Sequence, residues 1–333
     1  MRLLDHIAQC TDPLVIRQDS GEDWRLTGAS DFARALRQCP LRYVLADELV
    51  RTCIALSYSD GDELAGCLDL LHLPAERIWI EWDESARRAE LMRCLPGGAH
   101  LNSPQVLRAG VLLSAHPQCR TGSLRTFWLS GPEPREPIMA PIETLLDLDA
   151  AGTAHAPAQL LEGGSVRVAD PSNEQVDSLL RCARFRLDPA WQRYYQATAT
   201  TPGLRSQVVG RSLAAVAFDV PLLLALFLLL SIRDDLERRP VNPQRLNAKR
   251  LRLGRRPLLE HLEVCAPVFT PTPAWHGAHG ALAASARRAP RFHHVRGHIV
   301  RRSDTVYWRG PHWRGHVRLG SVRSRTVELR LPG

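Results

Sequence analysis

The stretch RAGVLLSAHPQCRTGSLRTFWLS, residues 108–130, contains two runs typical of neighbouring β-strands. Arg108–Ala115 and Ser123–Ser130 are rich in aliphatic, β-branched and aromatic residues, and turn-forming residues separate them. Runs of this kind joined by short turns are typical of paired antiparallel strands. Two further strand-like runs lie upstream, Glu76–Trp82 and Ala89–Cys94. Together the four runs predict an antiparallel meander.

Helical patterns flank this meander on both sides. Residues 31–73, with prolines and a turn at the boundaries, predict the helices Asp31–Gln38, Leu41–Tyr58 and Asp62–Leu73. Residues 173–258 predict a second set, Asn173–Arg184, Asp188–Thr198, Arg205–Ala217, Val220–Arg238 and the basic helix Gln244–Leu253. The intervening Gly131–Ser172 holds many Pro, Ala and Gly residues and predicts an irregular segment.

The predicted fold class is α+β, with a helical layer on an antiparallel sheet, a central helical region and a basic C-terminal β-rich module. A chain of 333 residues is long enough for two or three domains. The expected boundaries are 1–135 for an N-terminal α+β domain, 136–172 for an irregular linker or arm, 173–258 for a helical region ending in a basic helix, and 259–333 for the basic β-rich module.

The most apolar stretch, Leu213–Ile232, predicts a buried core helix rather than a membrane span. Its unbroken apolar part, Leu222–Leu230, is shorter than the roughly 20 residues that a bilayer requires. Asp219 is the expected N-cap of this helix, and Pro221 falls in its first turn, where a missing N–H costs nothing. We therefore expect no membrane among the partners of the protein.

The cysteines indicate a reducing compartment. Eight are scattered along the chain without a C-x-x-C pair, and the N-terminal residues have the wrong charge pattern for a secretory signal. This predicts a cytoplasmic protein with reduced thiols. Wide cysteine spacing also lacks the close ligand pairs of a zinc finger. The sequence predicts no cofactor, no metal and no catalytic residue.

Charge is divided unequally between the two ends of the chain. Residues 241–333 hold 18 basic and four acidic side chains, a net charge of +14, so the whole-chain value of +8 leaves residues 1–240 at −6. A segregated basic segment is typical of proteins that bind a polyanion, most often nucleic acid. The acidic half is the expected place for a protein partner, if the chain has one.

The basic C-terminal segment contains a short internal repeat. Val295–Val300, VRGHIV, recurs as Trp313–Arg318, WRGHVR, and the two copies are expected on neighbouring strands. Arginine forks bind phosphate and stack on bases, while Tyr307, Trp308 and Trp313 offer flat faces. Basic residues interleaved with aromatics on a β surface are typical of single-strand binders. The alternative is that the tryptophans are the core of this module and the arginines solvate it.

A second candidate contact is the basic helix within Asn242–Arg256. Leu246, Leu251 and Leu253 are expected to anchor it while its arginines face outward; a merely solvated helix face is the alternative. The full predicted nucleic-acid-binding set comprises Arg245, Lys249, Arg250, Arg252, Arg255, Arg296, His298, Arg301, Arg309, His312, Trp313, Arg314, His316 and Arg318.

The C-terminal histidines allow a different hypothesis, a metal-dependent nuclease. His294-x-x-x-His298 and His312-x-x-x-His316 could supply imidazole ligands. Residues four apart on a strand lie about 13 Å apart, however, so ligands would have to converge across strands. We therefore expect these histidines to be polar or stacking neighbours of the arginines instead.

One acidic aromatic patch lies outside the basic segment. The carboxylates around Trp79 and Trp82 are expected to form a solvated rim at a strand end, with a paired-carboxylate active site as the alternative; they are Glu76, Glu81, Asp83 and Glu84.

Several of these segments resemble uncharacterised proteins encoded by phages and prophages of GC-rich bacteria. Residues 246–259, with the basic run, Gly254 and Pro257-Leu258-Leu259, are similar to such proteins, as are 294–298, 311–315 and 78–82. The resemblance implies a phage or prophage origin and carries no activity. The predicted function is nucleic-acid binding, to DNA or RNA. The alternatives are the metal-dependent nuclease and a virion or assembly protein that contacts the genome.

Overall fold

A computed structural model gives the architecture of the protein. It describes residues 1–12, 15–18, 24–27, 29–59, 61–94, 106–116, 120–131, 137–149, 165–166, 174–197, 202–231, 236–266, 291–295, 298–302, 305–309, 312–314 and 316–321. The chain divides into two compact units, Met1–Pro267 and Val268–Gly333.

The first unit combines ten described α-helices and one described 3₁₀ helix, Leu68–Leu70, with eleven described strands. The helices are α1 (Leu3–Ala8), α2 (Ser30–Gln38), α3 (Asp47–Ser59), α4 (Gly61–Ala65), α5 (Glu84–Cys94), α6 (Glu174–Leu180), α7 (Pro189–Ala197), α8 (Pro202–Ala217), α9 (Asp219–Ser231) and α10 (Gln244–Arg252). The strands are β1 (Val15–Gln18), β2 (Trp24–Thr27), β3 (Leu41–Leu45), β4 (Arg77–Asp83), β5 (Val106–His116), β6 (Thr121–Ser130), β7 (Pro137–Asp147), β8 (Ser165–Val166), β9 (Ala183–Leu187), β10 (Glu237–Val241) and β11 (His261–Cys265).

A large mixed sheet organises this unit. In the described part of the chain, nine strands follow the order β10-β11-β3-β4-β5-β6-β7-β9-β8, while β1 and β2 form a separate hairpin. The pairs β11–β3 and β3–β4 are parallel, and the others are antiparallel. The predicted α+β class is confirmed, and the meander of β4 to β7 is its antiparallel centre.

Helix α3 packs against both α5 and α9 in this unit. Every residue of α9 from Asp219 to Leu229 is buried, which confirms the predicted core helix. On α3, the Ser57 hydroxyl donates to the carbonyl of Pro221 at 2.8 Å. By length and composition Val209–Ser231 could cross a membrane, but 78% of its most apolar window is buried inside the protein.

Asp219, the first residue of α9, also belongs to a buried cluster of polar side chains. The Arg87 guanidinium donates to Asp219 at 2.6 Å and to Glu84 at 2.7 Å, and the Thr126 hydroxyl donates to Asp219 at 3.3 Å. All four side chains are buried, so these polar contacts connect α5, α9 and β6 inside the core. Buried charges are tolerated only when paired in this way.

The helical prediction for Leu41–Tyr58 is wrong in its first part, because Leu41–Leu45 is the strand β3. Its residues pair in parallel with β4 on one side and β11 on the other. The strand predicted at Ala89–Cys94 is wrong as well, because this run is the end of α5. Short apolar runs do not distinguish helix from strand by periodicity alone.

Three further predictions are corrected by strands that join the large sheet. Pro137–Asp147, within the segment expected to be irregular, is the eleven-residue strand β7. The helix predicted to end at Arg238 ends at Ser231, and the strand β10 follows. The helix predicted for Asn173–Arg184 ends at Leu180 and is followed by β9.

The second unit contains five described strands. They are β12 (Arg291–Val295), β13 (His298–Arg302), β14 (Thr305–Arg309), β15 (His312–Arg314) and β16 (His316–Ser321). They form a sheet β15-β12-β16 and a hairpin β13-β14. The predicted β-rich character of the tail is confirmed for these residues, while β11, expected to belong to this module, lies within the first unit.

Candidate nucleic-acid interface

The described part of the predicted interface centres on α10, at the edge of the large sheet. The helix connects the antiparallel strands β10 and β11. None of its nine residues is buried. It carries no acidic residue, and residues 244–256 hold the basic side chains Arg245, Lys249, Arg250, Arg252, Arg255 and Arg256. The outward side of the helix is therefore available to a partner.

Local hydrogen bonds define both ends of α10. At the start, the Asn242 side-chain carbonyl accepts from the N–H of Gln244 at 3.0 Å. At the end, Gly254 has a φ of +66°, the left-handed conformation that glycine adopts without strain. The N–H of Arg255 donates to the carbonyl of Arg250 at 2.8 Å and that of Gly254 to Leu251 at 3.0 Å. This pattern is a Schellman motif, which satisfies the last carbonyls of the helix.

Asn247 attaches the helix to the chain that follows it. Its side-chain amide donates to the carbonyl of Leu258 at 3.0 Å and accepts from the N–H of Leu258 at 2.7 Å. The next residue, Leu259, donates its N–H to the Asp5 carboxylate at 3.0 Å. Burial raises the pKa of Asp5, and the N–H donors of Leu259 and Arg2 partly offset this. The segment that follows α10 is therefore joined both to α10, through Asn247, and to α1, through Asp5.

Arg245, Lys249 and Arg252 form a cationic stripe on α10. Their spacing of four and three residues places them on one side of a helix with 3.6 residues per turn. All three side chains are exposed, and Arg255 just beyond the helix is exposed too. Among the described residues, no carboxylate forms an ion pair with any of these four. Their charges are available to an external anion.

Arg250, also predicted to bind, has an internal role. It is half-buried, and its Nε donates to the carbonyl of Arg256 at 2.8 Å. Arg256 in turn donates to the carbonyl of Gln9 at the end of α1. Arg250 and Arg256 therefore position the chain after the helix, and the structure separates them from the stripe.

The predicted leucine anchor of α10 is wrong. Leu246, Leu251 and Leu253 have exposed fractions of 51%, 61% and 61%. The anchor is polar instead, through Asn247. The sequence did not reveal this role of Asn247, because its partner Leu258 lies eleven residues away.

The second unit places the other predicted residues on short strands. Arg301 and Arg309 are exposed on β13 and β14. Arg302, missed in the sequence, places its guanidinium 5.7 Å from the ring centroid of Tyr307. Six other predicted residues lie on described strands, although their side chains lie outside the described part of the structure: His298, His312, Trp313, Arg314, His316 and Arg318. All of Arg296 lies outside it as well. From its place beside Gly310 and Pro311 in the sequence, Trp313 is expected to be partly exposed and Trp308 to be more buried; both side chains lie outside the described residues.

The strand pairing shows where the two copies of the internal repeat, Val295–Val300 and Trp313–Arg318, lie. Each copy is divided between two strands, the first between β12 and β13 and the second between β15 and β16. Adjacent pairing is seen between β12 and β15, where His294 lies opposite Trp313. His298 lies opposite Arg309 on the hairpin β13-β14, so it is not register-paired with His312 or His316. Among the residues open to description, no group of three or more His, Cys, Asp or Glu side chains could hold a metal.

The acidic patch around Trp79 and Trp82 is only partly solvated: Glu76 is exposed and Asp83 is partly exposed, but the expectation of a solvated rim is wrong for Glu81 and Glu84. Glu81, Glu84 and both tryptophans are inaccessible to solvent. Glu81 accepts from the N–H groups of Leu3 and Leu4 at 3.0 and 2.9 Å and from Arg108 at 2.5 Å. The carboxylate thus satisfies the first N–H groups of α1, which have no partner within the helix.

Comparison with known proteins returned no match. No protein-family model, no curated protein and no solved structure matches this chain.

Proposed function

We propose that the protein binds nucleic acid, through the cationic stripe of α10 and the arginine-rich strands of the second unit. The observation that carries the proposal is the stripe itself: Arg245, Lys249 and Arg252 are exposed, aligned and without a carboxylate partner in the described chain. Like charges four residues apart on a helix repel one another. A polyanion would relieve that repulsion, and the phosphate backbone is the usual one.

Arginine chemistry supports phosphate as the ligand. A guanidinium presents a planar fork of donors that matches two phosphate oxygens. Arg301 and Arg309 present the same group on β13 and β14, and both are exposed. Phosphate contacts fix a protein on nucleic acid without reading its sequence. The function proposed is therefore binding that depends strongly on salt.

The test is the salt dependence of binding by the full chain. Fluorescence anisotropy with labelled DNA and RNA oligonucleotides gives the slope of log affinity against log salt. Each neutralised phosphate contributes about −0.9 to that slope on duplex DNA and about −0.7 on single strands. We expect Lys249→Glu to weaken binding to all sequences and to make the slope shallower by about one contact.

Arg51→Glu is the matched control, because Arg51 is an exposed basic residue on the helix α3 and lies outside the stripe. It makes the same change in net charge, so it should leave affinity and slope nearly unchanged. Equal effects of the two substitutions would show a nonspecific charge effect. Absence of binding to any oligonucleotide at low salt would refute the proposal.

Location, origin and a protein partner belong to the same proposal. Cys39, Cys53, Cys67 and Cys182 are buried free thiols, which supports the reducing cytoplasm of a bacterial host. The resemblance of the segments described above supports a phage or prophage origin. The acidic excess of residues 1–240 supports a protein partner that binds this part of the chain.

A further inference from the structure

We infer that α10 enters the major groove of duplex DNA, with Arg245, Lys249 and Arg252 on phosphates and Leu246 and Leu253 against base edges. This inference rests on the proposed function and specifies its ligand. The first observation is the concentration of apolar surface on the most cationic helix. Of the five exposed large hydrophobic residues in the described chain, three lie on α10 or its cap, and the others are Met1 and Met92.

The positions of these leucines relative to the stripe indicate one continuous surface. Leu246 and Leu253 are seven residues apart, two helical turns, and therefore lie on the same side of the helix axis. At 100° per residue this side adjoins the stripe of Arg245, Lys249 and Arg252. Leu251 projects to the opposite flank, nearer to Asn247, which holds the helix to the protein. A row of cations beside a row of aliphatic side chains therefore faces outward.

The dimensions of the helix fit the major groove of B-DNA. An α-helix with its side chains is about 10–12 Å wide, and the groove is about 12 Å wide. No residue of α10 is buried, so the outward side of the helix is open to contact with a groove. In the groove, the apolar feature that a leucine can contact is the C5-methyl group of thymine. The major groove of duplex RNA is deep and narrow and does not admit side chains in this way.

Charge complementarity favours this ligand over a protein partner for the same helix. Residues 244–256 hold six basic and no acidic side chains, which suits the closely spaced phosphates of a duplex. A basic helix with exposed leucines can also lie on an anionic membrane, so the experiment includes that surface as a competing outcome.

The experiment compares three duplexes of one sequence with the full-length protein: DNA, RNA, and DNA in which uracil replaces thymine. Uracil lacks only the major-groove methyl group. We expect tighter binding to DNA than to RNA, and weaker binding to the uracil duplex. Leu253→Ala should lower affinity for thymine-containing DNA by about three- to tenfold. It should also abolish the difference between thymine and uracil.

Leu251→Ala is the matched control, since Leu251 is as exposed as Leu253 but lies on the other flank. Its affinity for DNA should stay within about twofold of the parent protein. Because neither leucine is buried, both variants should keep the thermal stability of the parent, which is measured in parallel.

Two sets of results separate this inference from the function on which it rests. Equal, salt-dependent binding to DNA, RNA and uracil duplexes, unaffected by Leu253→Ala, would overturn the groove assignment and leave nucleic-acid binding intact. Loss of binding to every oligonucleotide would overturn both. Binding to anionic phospholipid vesicles that exceeds binding to DNA and depends on Leu253 would overturn the assignment in favour of a membrane surface.

Discussion

Gly110 on β5 shows how closely the strands of the large sheet pack against a buried tryptophan. A Cβ at this position would lie 2.5 Å from Cζ2 and 2.9 Å from Cη2 of Trp79. Trp79 is fully buried and packs on Phe127, with ring centroids 5.8 Å apart. The ring therefore cannot move aside without disturbing the core. We expect Gly110→Ala to lower the free energy of unfolding by about 1–3 kcal/mol, measured by urea denaturation.

Gly210 supplies the control for this substitution. It lies in α8, and nothing comes within 4 Å of a Cβ built there. Because glycine within a helix costs about 0.5–1 kcal/mol relative to alanine, Gly210→Ala should stabilise the protein by a similar amount. If Gly110→Ala were neutral or stabilising, the contact with Trp79 would not be a constraint on the fold.

The sequence predicted that the arginines of α10 face outward, which is correct for Arg245 and Arg252 but not for the half-buried Arg250. The prediction for Glu81 failed because burial of that carboxylate depends on α1, nearly eighty residues away in the chain. An acidic residue is usually exposed, so only the tertiary contact reveals the exception.

At the scale of elements, the ion cluster of Arg87, Glu84 and Asp219 connects two helices to the sheet. Two buried carboxylates face one guanidinium, so one negative charge is left unbalanced when both carboxylates are ionised. Burial raises the pKa of Asp219 to about 7, although the Arg87 guanidinium opposes the shift. Burial lowers the pKa of Arg87, but the carboxylates of Glu84 and Asp219 outweigh that effect and raise it overall.

This cluster leads to a pH-dependent stability. An ordinary aspartate in the unfolded chain has a pKa of about 3.9, so between that pH and about 7 the folded state holds a proton that the unfolded state has lost. The contribution of Asp219 to stability therefore falls as pH rises through this window, by at most about 1.4 kcal/mol per pH unit. We expect urea denaturation at pH 5, 6 and 7 to show this fall for the parent protein and a flatter profile for Asp219→Asn.

Asp62→Asn is the control for the pH profile, because Asp62 is exposed on α4. It should reproduce the pH dependence of the parent. If Asp219→Asn also keeps the parent's slope between pH 5 and 7, the proton is not held by Asp219.

Sequence patterns predicted the elements unequally. The strands β4, β5 and β6 and the core helix α9 have long runs with a clear composition, and they were found. Leu41–Leu45 pairs in parallel with a strand on each side, β11 and β4. The composition of its short apolar run does not differ from that of the start of a helix. Ala89–Cys94 has residues suited to either structure, and packing of α5 against α3 and β5 decides for helix.

At the scale of the whole molecule, the strand β11 determines where the first unit ends. Composition placed the start of the basic module at residue 259, but β11 lies between β10 and β3 in the large sheet. The N–H of Ala46 donates to the carbonyl of Val264 at 2.9 Å, and Val264 is fully buried. A pairing between residues more than two hundred positions apart has no local signature in the sequence.

Two fragments of the chain, 1–267 and 1–258, differ in whether they contain β11. The first contains β11 and should unfold in a single transition, because it includes the whole of the first compact unit. The second lacks β11, which leaves the apolar parallel edge of β3 unpaired and deprives Asp5 of the Leu259 N–H. An exposed apolar strand edge promotes aggregation. We therefore expect 1–258 to have a lower thermal midpoint, measured by calorimetry, and to aggregate, measured by light scattering. Fragment 1–267 also retains α10. In this fragment, Lys249→Glu should therefore make the slope of log DNA affinity against log salt shallower by about one contact, as in the full chain. Equal stability of the two fragments would show that β11 belongs with the C-terminal module, as composition alone suggests.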